Sequence, residues 1–136
     1  MTMDTGASPT RRETTILIVE NDPSDRLLLE RVLSSRGYRC FSVAHGREAL
    51  DLLERMQVDL ILTDLLMPVL DGQRTAQLIR SRPGMEKVPI VAVTAYPPDE
   101  IRGPGSGGSY DEYLLKPFKP RQLLDLVERL LTSRAS

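Results

Sequence analysis

The sequence predicts an α/β fold with a doubly wound, five-stranded parallel sheet. Three short runs, at residues 15–19, 59–63 and 89–93, are rich in Val, Ile and Leu. Each is too short for a helix and too uniformly apolar for a strand with one face in water, so each is typical of a central parallel strand. Strands at 39–43 and 112–115 complete the set. Their alternation with helices implies right-handed crossovers within one sheet.

The first helix is predicted to begin just after Asp22. Asp22 is a favourable N-cap, and Pro23 suits the first helical position because the N–H that it lacks would have no helical partner there. Gly37 is expected to end the helix. Its core-facing side is predicted from the helical spacing of its apolar residues, which are Leu28, Leu29, Val32 and Leu33.

Three further helices are predicted at roughly 46–56, at 72–81 and from residue 120 onward. Each shows apolar residues at helical spacing. In chain order, the inward-facing residues are Ala49, Leu50, Leu52 and Leu53; then Ala76 and Ile79; then Leu123, Leu124, Val127, Leu130 and Leu131.

The segment after Thr94 breaks the alternation of strands and helices. Residues 97–109 contain four glycines and three prolines. Inside a helix, glycine costs up to about 1 kcal/mol and proline about 3 kcal/mol. The helix expected between the fourth and fifth strands is therefore predicted to be degenerate, with at most one turn at 98–102, or replaced by a Gly/Pro-rich loop.

Size and composition limit the possible functions. The 136 residues suffice for one domain with a core and are too few for two ordinary ones, so we expect a stand-alone domain. With 40% hydrophobic and 27% charged residues and a net charge of −1, the chain has no general attraction to nucleic acid or anionic lipid. Cys40 is the only cysteine, which excludes an internal disulfide, and we interpret it as a small buried hydrophobe.

The expected domain spans residues 15–133, between a disordered N-terminal tail at 1–14 and a short C-terminal tail at 134–136. The N-terminal residues lack apolar periodicity and the long apolar stretch of a secretory signal. No run approaches the roughly 18 apolar residues that span a bilayer. We therefore expect a cytoplasmic protein with no membrane partner and no direct contact with nucleic acid.

Polar side chains follow four predicted strands at the points where those strands end. In an open α/β sheet, ligands bind in the crevice beyond the carboxyl ends of the strands. A divalent metal and a phosphoryl group would suit this set of carboxylates, amide, hydroxyl and amine. The residues are Glu20, Asn21, Asp64, Thr94 and Lys116.

Three segments in this order resemble the receiver domain of two-component response regulators, over residues 15–133. LTDLLMP at 62–68, followed by Asp71-Gly72, resembles the phosphoacceptor segment; VTA at 93–95 resembles the switch hydroxyl segment; YLLKPF at 113–118 resembles the lysine segment. The resemblance implies a flavodoxin-like sheet of order 2-1-3-4-5 and a cis bond before Pro117.

By this resemblance, Asp64 accepts a phosphoryl group from a histidine kinase or phosphotransfer protein. Lys116 and the Thr94 hydroxyl would neutralise charge on the transferring group, because positioning and electrostatics carry such catalysis. Thr94 and Tyr113 would form the conformational switch. The alternative for Tyr113 is an ordinary half-buried strand aromatic. The protein would catalyse its own phosphorylation and dephosphorylation without being an enzyme for a separate substrate.

Mg²⁺ is the cofactor that the resemblance implies. Its predicted protein ligands are Glu20, Asn21, Asp64 and the main-chain carbonyl of Leu66, a set that suits an ion that keeps several waters. The family usually has two adjacent acidic residues after the first strand, whereas this chain has a neutral amide at Asn21. Asp22 is expected to cap the first helix instead. We therefore predict weakened Mg²⁺ affinity.

Two further features have an ordinary and a functional interpretation. His45 is expected to be a surface loop residue or a helix cap, and a phosphorelay role is much less favoured. Leu27, Leu28 and Leu29 are consecutive, so a helix should leave one of them exposed. By the resemblance, Leu27 lies on the first-helix surface that kinases contact and would belong to a docking patch. An incidental exposed leucine is about as well supported.

Two functions remain open, and a third is disfavoured. The first is a receiver that is phosphorylated on Asp64 and signals to an unknown downstream protein by contact. The alternative is a receiver-like interaction module that acts without phosphorylation because of the altered acidic pair and the lost helix. A haloacid-dehalogenase-like phosphatase is disfavoured, because such sites carry a second aspartate two positions after the nucleophile and this chain has Leu66.

Overall fold

The structure, a computed structural model, describes residues 14–64, 72–95 and 110–135. Five strands form one parallel sheet in the order β2-β1-β3-β4-β5. This confirms the predicted doubly wound order 2-1-3-4-5. The strands are β1 (Thr15–Val19), β2 (Arg39–Val43), β3 (Leu60–Asp64), β4 (Ile90–Thr94) and β5 (Glu112–Leu115).

Four helices lie within the described ranges. The Asp22 side chain accepts a hydrogen bond from the Asp25 backbone N–H at 2.8 Å, and Pro23 occupies the first turn, as predicted. Gly37 follows the first helix with φ of +92°, a left-handed conformation that glycine adopts without steric cost. The helices are α1 (Pro23–Ser35), α2 (Gly46–Leu53), α3 (Gly72–Arg80) and α4 (Pro120–Ala135).

Two hydrophobic clusters cover the two faces of the sheet. On one face, Ile16, Ile18 and Leu62 pack with residues of α1 and α4, including Leu33 and Val127. On the other face, strand residues pack with α2 and α3 through Leu17, Val19, Ile61, Ala49, Ala76 and Ile79. Every residue of β1 and β4 is buried, which explains why four of the five residues in each strand are apolar.

Four elements have bounds that differ from the predictions. α3 ends at Arg80, one residue earlier than expected. β3 and β4 each begin and end one residue later than expected, because the strand ladder continues to Asp64, which pairs with Val93, and to Thr94, which pairs with Leu115. α2 ends at Leu53 instead of about residue 56, because the following backbone N–H groups bond three residues back and tighten the last turn.

The expectation of one exposed leucine in α1 was wrong in number. Leu29 is buried, whereas Leu27 and Leu28 are 46% and 42% exposed. The stripe that α1 buries passes through Leu29 and Leu33, four residues apart, so the two preceding leucines fall outside it. Cys40 is only partly buried and packs at the edge of the first cluster.

Several predictions concern parts of the chain outside the described residues. They are the N-terminal tail, the loop in place of a helix between β4 and β5, and the carbonyl of Leu66. None of the helices in the described ranges is long and apolar enough to cross a bilayer.

Candidate functional site

The strand register brings the ends of four strands together at one edge of the sheet. Thr63 pairs with Val19, and Asp64 pairs with Val93, so Glu20, Asp64 and Thr94 end neighbouring parallel strands. The Lys116 backbone N–H donates to the Thr94 carbonyl oxygen at 2.7 Å, which ties the end of β5 to the end of β4. Parallel pairing thus gathers residues that are up to 96 positions apart in sequence.

Lys116 is the centre of this cluster. Its ammonium donates to Glu20 Oε1 at 3.0 Å and to Asp25 Oδ2 at 2.9 Å, and it lies 3.4 Å from Asp64 Oδ2. Burial alone would lower the pKa of Lys116, but hydrogen bonds to Asp25 and Glu20 and the charge of Asp64 raise it above its usual value. The amine is therefore a permanent cation at neutral pH.

Glu20 is the most deeply buried acidic residue of the cluster, with 1% of its side chain exposed. Desolvation raises its pKa, and the charge of Asp64 acts in the same direction. Two hydrogen bonds oppose this rise, because Oε2 accepts the Asp22 backbone N–H at 3.0 Å and Oε1 accepts from Lys116. The Lys116 ammonium thus offsets the desolvation cost of burying the charged Glu20 carboxylate.

Asp64 is more accessible than Glu20, with 15% of its side chain exposed. It is the last residue of a buried strand, so its backbone is held by the sheet while its carboxylate borders the crevice. A carboxylate that is fixed in position, partly exposed and next to a cation can be reached by an electrophile from outside.

Thr94 and Tyr113, the predicted switch pair, differ in exposure. Thr94 is buried, with 1% exposed, at the end of β4. Tyr113 lies on the edge strand β5 and is 40% exposed, which agrees with the half-buried strand aromatic that the sequence suggested. Thr94 therefore sits at the edge that carries Asp64, while Tyr113 is open to solvent, and their switch role stays a prediction.

The remaining predicted site residues have ordinary positions. Asn21 is partly buried in the turn between β1 and α1. Asp22 caps α1, as expected. His45 occupies the N-cap position of α2, where its backbone N–H donates to the Glu48 side chain at 3.2 Å. The position of His45 agrees with the helix-cap interpretation. The cis bond expected between Lys116 and Pro117 is present.

Asp25 is the residue of this cluster that the sequence analysis missed. It lies on the first turn of α1, not at a strand end, so the strand-end rule could not find it. One signal was available: an acidic residue three positions after an N-cap lies at the same end of the helix as the preceding strand end. Whether its side chain would reach Lys116 depends on how α1 packs on the sheet.

The oxygen donors of this cluster fit Mg²⁺. Within the described residues, no group of three or more Asp, Glu, His or Cys side chains is arranged to hold a metal. Mg²⁺ needs only one or two carboxylates, because it retains several waters. Glu20 and Asp64 both contact the Lys116 ammonium, at 3.0 Å and 3.4 Å, so this edge of the sheet brings two carboxylates together and has the kind of oxygen donors that Mg²⁺ needs.

Comparison with known proteins gives a consistent result along most of the chain. A family model described as the response regulator receiver domain matches residues 16–128. A probable transcriptional regulator, ycf27, from Porphyridium aerugineum is 38% identical over 116 residues, which are 85% of this chain and 47% of that protein. The chain thus spans about half the length of that relative.

Two solved structures have the same architecture. The receiver domain of the sensor histidine kinase PA1611 from Pseudomonas aeruginosa, with a magnesium ion coordinated in its active-site cleft, is 36% identical. It matches with a TM-score of 0.79 over 88% of this chain and 98% of that one. The chemotaxis response regulator CheY4 of Vibrio cholerae is 29% identical, with a TM-score of 0.80 over 86% and 98% of the two chains.

Proposed function

As its motifs predicted, this chain belongs to the receiver domain family of response regulators, and on that premise we propose that Asp64 accepts a phosphoryl group from a histidine kinase or phosphotransfer protein. The proposed receiver domain spans residues 15–133 and acts in the cytoplasm. Its output is contact with a downstream protein, without direct contact with nucleic acid. The observation that carries the proposal is the Lys116 ammonium, which contacts Glu20 and Asp64 at one sheet edge.

The proposed transfer is a displacement at phosphorus. A carboxylate oxygen of Asp64 forms the new P–O bond while the P–N bond of the donor phosphohistidine breaks. The electron pair of that bond remains on the imidazole nitrogen, so the products are an acyl phosphate on Asp64 and a free histidine on the partner. The 15% exposure of Asp64 supports access from outside the protein.

Lys116 and Thr94 would act on the charge of the transferring group. The three phosphoryl oxygens carry negative charge during the transfer, and groups fixed nearby stabilise that charge without having to reorganise. The ammonium is already held at the site by three carboxylates. Thr94 ends the strand next to β3, from which its hydroxyl could donate to a phosphoryl oxygen.

A metal site beside Asp64 completes the proposal. Bound Mg²⁺ would neutralise phosphoryl charge, and Glu20, Asn21, Asp64 and the Leu66 carbonyl are its proposed ligands. A neutral amide at Asn21 supports an affinity below that of a site with an adjacent acidic pair. The magnesium ion in the receiver domain of PA1611 supports the choice of metal.

Receiver domains are not classical enzymes, and the proposed chemistry is limited to the domain's own aspartate. Similarity to a receiver domain of a sensor histidine kinase supports a kinase or phosphotransfer partner. A net charge of −1 supports protein contact over nucleic-acid binding as the form of output. We propose that Thr94 and Tyr113 transmit the conformational change caused by phosphorylation of Asp64 to the exposed face of β5.

Acetyl phosphate treatment followed by intact-mass measurement tests this function. In the presence of excess Mg²⁺, the wild-type protein is expected to gain the mass of one phosphoryl group. Asp64→Asn is expected to gain none, because an amide cannot form the acyl phosphate. Asp59→Asn is a matched control: Asp59 also borders β3 but accepts the Thr15 backbone N–H at the opposite end of the strand, so it should be phosphorylated like the wild type.

The same experiment separates the two functions left open by the sequence. Equal labelling of wild type and Asp64→Asn would place the reaction elsewhere and contradict the proposal. A folded wild-type protein that takes no phosphoryl group at any Mg²⁺ concentration would favour the interaction module that works without phosphorylation.

A further inference from the structure

Asp25 is the third carboxylate that contacts the Lys116 ammonium. It lies on helix α1, whereas Glu20 and Asp64 lie at strand ends. Its backbone is fixed at the first turn of α1, where its N–H donates to Asp22 Oδ2 at 2.8 Å. Its own Oδ2 then accepts from the Lys116 ammonium at 2.9 Å. The cap of α1 thus sets the position from which Asp25 reaches the lysine.

The three carboxylates hold the ammonium unequally. Asp25 and Glu20 lie at 2.9 Å and 3.0 Å, near the usual length of a charge-assisted hydrogen bond, whereas Asp64 lies at 3.4 Å. The ammonium therefore lies closer to Asp25 and Glu20 than to Asp64. The ammonium has three N–H donors, and three carboxylates contact it within the described part of the chain, so these contacts can use all of its donors.

A phosphoryl group on Asp64 would bring negatively charged oxygens close to the ammonium and attract it, so one of the other two contacts would lengthen. The Glu20 side chain is 1% exposed, so loss of the ammonium would leave a buried charge unpaired. The Asp25 side chain is 40% exposed, so water can replace the ammonium there at little cost. The contact between Asp25 and Lys116 is therefore the one expected to lengthen.

We propose that Asp25 is a positioning residue that acts through Lys116: it holds the ammonium back from Asp64 in the unphosphorylated protein and so lowers the affinity of the site for a phosphoryl group. This inference rests on the proposed function, because it assigns a competitor for the lysine at the same site. The motifs at the strand ends do not include Asp25, so this role could not be assigned from them.

Binding of trifluoroberyllate, a stable mimic of a phosphoryl group on a carboxylate, tests the inference. The measurement is the dissociation constant of the mimic at saturating Mg²⁺, read by fluorine NMR of the bound species. Asp25→Asn keeps the shape of the side chain and the backbone N–H that the cap uses. It is expected to bind the mimic about three- to fivefold more tightly than wild type, the effect of removing one partly exposed competing ion pair.

Two variants separate this effect from a general change of charge. Asp22→Asn removes a negative charge three residues earlier and keeps a good N-cap, because Asn caps helices about as well as Asp. Its affinity for the mimic is expected to stay within twofold of wild type. Asp25→Glu retains the charge that competes for the ammonium, so it should return the affinity toward the wild-type value.

The outcomes distinguish failure of this inference from failure of the proposed function. Binding to wild type with no tightening in Asp25→Asn, or with equal tightening in Asp22→Asn, would overturn the role of Asp25 and leave phosphorylation of Asp64 standing. Binding to Asp25→Asn alone would support the inference in its strongest form. Absence of binding to wild type and to every folded variant at saturating Mg²⁺ would overturn both.

Discussion

At Asn21, a single neutral side chain stands where a receiver domain usually has the second of two adjacent carboxylates. Its neighbour Glu20 is buried, hydrogen-bonded to the Asp22 N–H and paired with Lys116. The Glu20 carboxylate is thus already paired with Lys116. A carboxylate introduced at residue 21 would be the one available to bind a metal ion. The metal affinity of the site should depend on this residue.

Asn21→Asp is expected to increase Mg²⁺ affinity by roughly tenfold, or about 1.4 kcal/mol. One unit-charge contact at about 4 Å is worth roughly 4 kcal/mol gross near a protein surface, and repulsion from Glu20 and Asp64 offsets part of this gain. Isothermal titration calorimetry at fixed ionic strength measures the change.

Ser24→Asp provides the control for Asn21→Asp. It adds the same charge at an exposed position on the first turn of α1, so it should alter Mg²⁺ affinity much less. An unchanged affinity in Asn21→Asp, or an equal gain in Ser24→Asp, would mean that residue 21 is not a ligand.

The sequence predicted most of this cluster for one physical reason. In a parallel sheet the residues that end the strands must meet at one edge, so Glu20, Asp64, Thr94 and Lys116 could be grouped before any coordinates were known. Asp25 could not be grouped with them, because its contact depends on the packing angle of α1. The exposure of both Leu27 and Leu28 was missed for the same reason, since it depends on how α1 is rotated about its axis.

Among the elements, α3, β4 and the start of β5 are joined through one side chain, Arg80. Its Nη1 donates to the carbonyl oxygens of Glu86 at 2.9 Å and Val88 at 2.8 Å, and its Nη2 donates to Asp111 Oδ2 at 2.7 Å. The same carboxylate oxygen of Asp111 accepts the Ile90 N–H at 2.8 Å. The last turn of α3 therefore fixes both strands that lead to Thr94 and Lys116.

Arg80→Lys is expected to lower the free energy of unfolding by about 2 kcal/mol. Lysine keeps the charge but not the planar fork that reaches several acceptors at once, so some of these partly buried groups lose their partner. Urea unfolding followed by circular dichroism measures the change.

Arg82→Lys is the control for this element, because Arg82 makes a long ion pair of 3.8 Å with the largely exposed Glu54. Its cost should stay below about 0.5 kcal/mol. Equal losses in the two variants would show that Arg80 does not join these elements.

Element boundaries were predicted less well than the elements themselves. Apolar periodicity located every strand and helix of the described ranges, but it ended β3 at residue 63 and β4 at residue 93. The ladder continues through Asp64 and Thr94 because their backbones still have paired neighbours, and a polar side chain does not prevent that pairing. Side-chain hydrophobicity therefore marks the buried part of a strand and not its last hydrogen bond.

Across the whole molecule, a core on both faces of one sheet supports a charged cluster at one edge. β1 and β4 are buried along their full lengths, so the backbones that precede Glu20 and include Thr94 have little freedom to shift. Such rigidity is what a preorganised electrostatic site requires. Binary patterning predicted this architecture, because strands buried on both faces and helices with one apolar face have few other ways to pack.

We propose that the residues gathered at this edge of the sheet make Asp64 a phosphoacceptor. The most direct measurement is borohydride reduction of acetyl phosphate-treated protein, followed by peptide sequencing by mass spectrometry, because borohydride converts an aspartyl phosphate into homoserine. We expect homoserine at position 64 and at no other acidic position, and no homoserine in protein treated without acetyl phosphate. Homoserine at Asp25, Asp59 or another carboxylate, with position 64 unmodified, would contradict it.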